Sequence, residues 1–200
     1  MGIAEGAVRR RPVQRRSAER VERMLDECAR LLDEVGYDGV TTKEVARRAE
    51  VPIGTFYQFF RDKRGLVREL ALRNLERFLG RVTARLADEA PGGLPEVIDM
   101  VVDEYVAMRR TVPGFGVVDF GETGPGGEHL LDAAVENNAI VAERLRDLTA
   151  GLGGDSDRSF LVAVEAADAV LKLAFRTRPE GDPGLIAECK TLLRRYLSGS

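Results

Sequence analysis

The segment from Val40 to Lys63, VTTKEVARRAEVPIGTFYQFFRDK, constrains the fold more than any other stretch of the chain. Thr41 and Glu44 have capping-box spacing, so the threonine hydroxyl can accept from the amide of residue 44 while the glutamate reaches back to the helix start. Val40 and Val45 stand where a hydrophobic staple closes over that turn. A helix over about Thr42–Glu50 then has Val45, Ala46 and Ala49 as its inner face, with Lys43, Arg47 and Arg48 facing out. Val51 and Pro52 make a turn, and a second short helix covers about Ile53–Phe60. Its inward side is read as Phe56, Phe59 and Phe60, which leaves Ile53, Gly54, Thr55, Tyr57 and Gln58 outside. Two short helices joined by a tight turn, with hydroxyls and lysines on the outer surface, read as a helix-turn-helix. In that motif one helix braces on the phosphate backbone and the next enters the major groove.

The helix that precedes this unit is equally legible. Val21, Met24, Leu25, Cys28, Leu31, Leu32 and Val35 fall at three-four spacing and form one apolar stripe over about Ser17–Val35. Gly36 supplies a stop that needs positive φ. Residues 1–64 hold fourteen Lys or Arg against eleven Asp or Glu, a balance of +3 in a chain whose total is −3. A mildly basic head on an acidic body is the pattern expected when one end of a protein meets a polyanion. The tract RRRPVQRR, from Arg9 to Arg16, is either an arm that enters a minor groove or neutralises backbone charge, or a solubilising tail. The expected division is a flexible basic arm over 1–15, a DNA-binding head over 16–63 and a helical body over 64–200.

The stretch Gly36 to Lys63 followed by RGLV resembles the head of the TetR family of bacterial repressors. The residues that carry the likeness are the glycine ending helix 1, the TT pair, the VA within helix 2, the GTFY of helix 3 and the DK opening helix 4; the close match covers roughly residues 17 to 70. The resemblance implies that Thr42, Tyr57 and Lys63 contact phosphates, and that Lys43, Ile53, Gly54 and Thr55 read bases. An isoleucine at 53 can touch only apolar features such as a thymine methyl. Two departures matter: Phe59 stands where the family often has histidine, and Glu50 where it usually has glycine. The other reading of each exposed residue is an ordinary solvated helix face.

The body reads as helices throughout, giving an all-α chain of about nine helices. A long helix from Lys63 ends before ProGlyGly at 91–93. The next has Pro95 in its first turn and a stripe of Leu94, Val97, Ile98, Val101, Val102, Tyr105 and Met108. The loop PGFGVVDFGETGPGG, 113–127, holds one short helix around Phe115–Phe120, and helices follow over about 128–152, 156–176 and 182–197, the last opened by Asp182 and Pro183. The last two helices carry broad apolar faces that close either on the body or on a second copy; the resemblance favours a homodimer through them. Such a dimer would present its two recognition helices about 34 to 36 Å apart, or a multiple of that, to a palindromic operator in double-stranded DNA.

The family also implies a small-molecule effector, often lipophilic, held between the helices of the body. Polar or aromatic residues that interrupt apolar stripes are the candidates to line its cavity: Asn74, Phe78, Tyr105, Met108, Phe115, Phe120, His129 and Asn137. The alternative is that the asparagines are satisfied core amides and the aromatics simply pack. Glu165, Asp168 and Lys172 read as a salt-bridged helix face.

Other function classes find little support. One histidine and two well-separated cysteines, Cys28 and Cys189, leave no metal site of ordinary spacing, and both thiols fall on apolar stripes. GETGPGG, 121–127, lacks the Lys-Ser/Thr of a phosphate loop, and no carboxylate pair or catalytic residue stands out. No run reaches transmembrane length, and the Arg-rich start lacks the apolar stretch of a secretory signal. The expectation is a cytoplasmic, cofactor-free, ligand-responsive repressor that is not an enzyme. A helical sensor or carrier whose head no longer binds DNA specifically is the second reading.

Overall fold

The computed structural model describes residues 11–118, 131–150 and 157–198, with side chains from 15, 138 and 158 in the three stretches. Among these residues there are eight helices and no strand: α1 (Arg11–Gly39), α2 (Thr42–Arg48), α3 (Ile53–Phe59), α4 (Lys63–Glu89), α5 (Leu94–Thr111), α6 (Leu131–Leu148), α7 (Asp157–Thr177) and α8 (Pro183–Ser198). The short helix expected around Phe115–Phe120 is a turn over 113–117, and Phe120 lies outside the described residues. Helix α1 begins at Arg11, before the expected Ser17, so part of the basic tract is helical. Gly36 breaks it at φ 67° and ψ 176°, a region open in practice only to glycine.

Two apolar cores divide the chain. The head core joins Met24, Leu25, Cys28 and Leu32 of α1 to Val45 and Ala46 of α2, Phe56 of α3, and Leu66, Val67 and Leu70 of α4. The body core joins Leu75, Phe78 and Val82 of α4 to α5, α6, α7 and α8. Helix α4 therefore belongs to both, its first half to the head and its second to the body. Charge pairs fix its neighbours: Arg73 donates to Glu22 and Asp26 of α1 at 2.9 and 2.8 Å, and Arg81 to Glu104 of α5 at 2.7 Å. Helix α8 is tied to α5 by Lys190–Asp103 at 2.6 Å and by Arg194, whose guanidinium grips the Asp99 carboxylate at 2.5 to 2.8 Å.

Caps explain where the helices begin. Thr41 accepts from the Glu44 amide at 3.2 Å, Asp62 from the Gly65 amide at 2.9 Å, and Asp182 from the amides of Gly184 and Leu185 at 2.9 and 3.1 Å. The expected capping box is only half formed. The Glu44 carboxylate turns to Arg47 (2.8 and 2.6 Å) and Arg48 (3.0 Å), because two guanidiniums in the next turn outcompete a single amide.

Candidate nucleic-acid interface and effector cavity

The turn between α2 and α3 sets the geometry of the head. The Val51 amide donates to Ala46 O at 3.0 Å and the Glu50 amide to Arg47 O at 3.3 Å. This is a Schellman motif, with Glu50 at the position that must be left-handed. Glu50 obliges at φ 55°, without the conformational freedom of the glycine common there. Val51 and Ala46 bury together beneath the turn, at 7% and 2% exposure, so the left-handed step is held from below.

Helix α3 exposes a different face from the one its phenylalanines suggested. Phe56 is fully buried and Phe60 nearly so, but Phe59 is 37% exposed. Phe56 and Phe60 are one helical turn apart and share a side, their rings 5.5 Å apart. Phe59 lies off that side, and the head core closes without it. Ile53, Gly54 and Tyr57 are exposed on α3, Lys43 is exposed on α2, and Thr42 and Thr55 are half-buried. No atom lies within 4 Å of where a Cβ on Gly54 would stand, so the backbone there is open to close approach.

Two contacts organise this surface. Thr42 Oγ1 and Tyr57 Oη lie 3.2 Å apart, linking α2 to α3 and holding the phenol beside the start of α2. Lys63, the first residue of α4, donates from Nζ to Tyr37 O at 2.9 Å and sits 4.3 Å over the Tyr37 ring. Its ammonium is thereby drawn toward the α1–α2 corner. On the flank of α2, Arg48 grips Glu34 of α1 with two bonds of 2.7 Å. Hydrogen bonds from Arg47 and Arg48 hold the Glu44 carboxyl down to about 2, and the bond from Arg48 lowers that of Glu34. Much of the positive charge of α2 is thus neutralised locally, leaving Lys43 as its exposed cation without such a partner among the described residues.

In the body, α4 to α8 surround an apolar cavity of about 80 Å³. Its wall includes Phe78 of α4, Val97, Ile98, Val101 and Tyr105 of α5, Asn138, Val141 and Leu145 of α6, Phe160, Ala163 and Leu171 of α7, and Leu193 and Leu197 of α8. Of the residues expected there, Phe78 and Tyr105 line it. Asn74 does not: it is fully buried nearer the head and donates to Val118 O at 2.9 Å. Met108 and Phe115 are fully buried in the body core outside the cavity wall, Phe115 packed edge-on against Tyr105 at 5.5 Å. Phe120, His129 and the side chain of Asn137 lie outside the described residues.

The polar residue that reaches the cavity from α6 is Asn138. Among the described side chains of that helix Asn138, Val141, Ala142 and Leu145 are buried, as is Thr149 just after it, whereas Ile140 is 39% exposed. The described inward face therefore runs through Asn138, Val141 and Leu145 and leaves Ile140 outside. The 138–141–145 spacing carried that signal, but two adjacent asparagines cannot be told apart without knowing which way the helix faces. Asp168, expected on a salt-bridged face, does pair with Lys172 at 2.6 Å, and it also borders the cavity.

A short segment after α5 connects this cavity region to the head. Phe115 is anchored in the body core beside Tyr105, while three residues on Val118 is anchored in the head core. The Gly114 amide donates to Asp33 of α1 at 2.9 Å, and a Cβ on Gly114 would stand 2.8 Å from Ala29 Cα. Backbone is thus laid on backbone between body and head.

The model of the tetracyclin repressor-like C-terminal domain matches residues 92–200, more than half of the chain, and that of the bacterial regulatory proteins of the tetR family matches residues 24–70. The chain belongs to the TetR family. A TetR-family transcriptional regulator from Streptomyces coelicolor, known as a crystal structure, is 48% identical; the alignment covers 90% of this chain and 98% of that one, with a TM-score of 0.77. The HTH-type transcriptional repressor KstR of Rhodococcus jostii (strain RHA1) is 38% identical over 94 residues, 46% of this chain and 42% of KstR. The HTH-type transcriptional regulator BetI of Burkholderia thailandensis is 38% identical over 71 residues, 34% of this chain and 36% of BetI. The chain thus spans less than half the length of these two curated relatives. As a TetR-family protein it is a transcriptional regulator with a helix-turn-helix head, and the two family models fall on the two cores described above.

Proposed function

We propose that this TetR-family protein is a repressor that binds a palindromic operator as a homodimer and releases it when an apolar effector enters the cavity. The observation that carries the reading is the 113–118 segment, which shares residues with both the body core and the head core. The cavity is small beside the roughly 300 Å³ or more of ordinary ligand sites, so an effector must part its walls. Parting α4 from α5 moves Tyr105 and Phe115, and through Gly114 and Val118 the head follows. Operator affinity then falls by the difference in effector binding between the two arrangements.

On the DNA side, Thr42, Tyr57 and Lys63 contact phosphates, with the Thr42–Tyr57 bond orienting the phenol beforehand. Lys63 exchanges its bond to Tyr37 O for a phosphate, and Lys43, Ile53, Gly54 and Thr55 reach base edges from α2 and α3. The division into an arm, a head ending near residue 63 and a regulatory body is supported by the change of core along α4. Dimerisation runs through α7 and α8. Val162, Ala169 and Leu173 on α7, and Leu192 and Tyr196 on α8, are all exposed although these helices are otherwise well packed. No helix among the described residues is long and apolar enough to cross a membrane. DNA as the partner places the protein in the cytoplasm.

The test is a salt-dependent anisotropy titration on fragments selected from the host genome, starting with the DNA flanking the gene. The wild type binds one palindromic segment tightly, and Tyr57→Ala and Lys63→Glu weaken that binding and lower the salt slope by about one per lost phosphate contact. Weak binding to every fragment, unchanged in both variants, would make the chain a helical sensor or carrier instead.

A further inference from the structure

The cavity wall is hydrocarbon almost throughout, its polar groups being those of Tyr105, which has an interaction of its own, Asn138, Thr149 and Asp168. Thr149 spends its proton on the carbonyls of Leu145 and Arg146, at 2.8 and 3.2 Å. The Asp168 carboxylate takes the Lys172 ammonium at 2.6 Å, so the charged pair at the wall is neutral as a unit. Asn138 is different. It is 7% exposed, it lines the cavity, and its carboxamide has no hydrogen-bond partner among the described residues. A buried amide is most stable when its donors and acceptor are met, and a ligand in the cavity that Asn138 lines is placed to meet them.

The geometry points to an uncharged effector: a mainly hydrocarbon molecule carrying one hydroxyl- or carbonyl-type group, bound with that group on the Asn138 carboxamide. This rests on the cavity being the effector site of the proposed regulator. No Lys, Arg or His belongs to the lining among the described residues. A carboxylate or phosphate drawn inside would lose its hydration and find no cation in the wall among the described residues. A quaternary ammonium would meet a carboxylate already neutralised by Lys172 at salt-bridge distance. A neutral chain sheds no charge hydration on entry, has its polar group met by Asn138, and gains contact with α5, α7 and α8. The carboxamide both donates and accepts, so it serves a hydroxyl or a carbonyl equally. Asn138 also sits one turn before Ala142 on the face of α6 that meets the interior, which lets a bound polar group report directly to that helix.

The test uses titration calorimetry of the full chain with three probes of one chain length: 1-octanol, octanoate and octyltrimethylammonium, at pH 8. The expected result is uptake of 1-octanol, with both ions at least about tenfold weaker, since each must shed its charge hydration. Asn138→Leu should weaken 1-octanol about 3- to 10-fold, the worth of one neutral hydrogen bond. The probe ranking on wild type stands without the variant should leucine disturb α6. Octanoate or octyltrimethylammonium binding as tightly as 1-octanol overturns the proposal, as does equal 1-octanol affinity in Asn138→Leu or no uptake of 1-octanol. Selective 1-octanol binding by a chain that ignores DNA would support the ligand class and refute the regulator. Tight operator binding with no uptake of 1-octanol would do the reverse.

Discussion

Replacing Glu50 by glycine is expected to stabilise the protein, although the substitution removes a whole side chain. Glu50 holds φ 55° because the Schellman motif closing α2 requires a left-handed residue there. An L-residue with a Cβ spends about 1–2 kcal/mol in that conformation. Glycine removes that cost but adds about 0.4–1 kcal/mol of unfolded-chain entropy. The net gain is about 0.5–1 kcal/mol, or roughly 1–4 °C in Tm for a chain of this size. Glu50→Ala is the decisive control. It removes the same charge and keeps the Cβ, so its Tm should stay near that of the wild type. The assay is thermal unfolding at one fixed protein concentration, because the Tm of a chain that self-associates as proposed depends on concentration. A rise in Glu50→Ala equal to that in Glu50→Gly would refute the backbone argument and assign the effect to charge. Operator affinity separates the two contributions again, since both variants lose the same negative charge beside DNA and should gain equally there.

Gly114→Ala should act in the opposite direction. It combines a forbidden φ of 74° with a Cβ 2.8 Å from Ala29 Cα, costs of about 1–2 and about 1–3 kcal/mol; a Tm lowered by roughly 5–15 °C, read by circular dichroism, is the expected result. Burial pushes the Cys28 thiol up to about 12 and that of Cys189 to about 11, from an ordinary 9. Both should resist a thiol reagent in the native protein at pH 8 and react once denaturant unfolds it. Because the folded state holds these protons more tightly, their contribution to stability is present below pH 9 and is lost as pH rises from 9 through 11 and 12; a urea midpoint unchanged across that range would contradict the burial argument.

The head was largely legible because its signals are local. Thr41 and Asp62 cap helices within three residues of themselves, as Asp182 does in the body, Gly36 breaks α1 with its own φ, and the α1 stripe up to Leu32 needs no knowledge of its partner, although Val35 at its end is 51% exposed. Reading failed where a choice between faces depended on what lay opposite. Phe59 looked as apolar as Phe56 and Phe60, yet the head core was filled by α1 and α4 before it was needed. Asn74 interrupts a stripe as a cavity residue would, but Val118, 44 positions away, takes its amide. Asn138 meets the cavity because the packing of α6 on α7 and α4 fixes its rotation, which no local spacing states.

The sequence by itself determined the helices, their caps, the helix-turn-helix and the family, since each is written in spacings shorter than two helical turns. Only the tertiary structure decided which polar side chain faces the cavity, that Phe59 stays outside the head core, and that the segment after α5 belongs to both cores. These depend on contacts between residues far apart in the chain, where burial and steric closure choose among faces that local periodicity leaves equivalent.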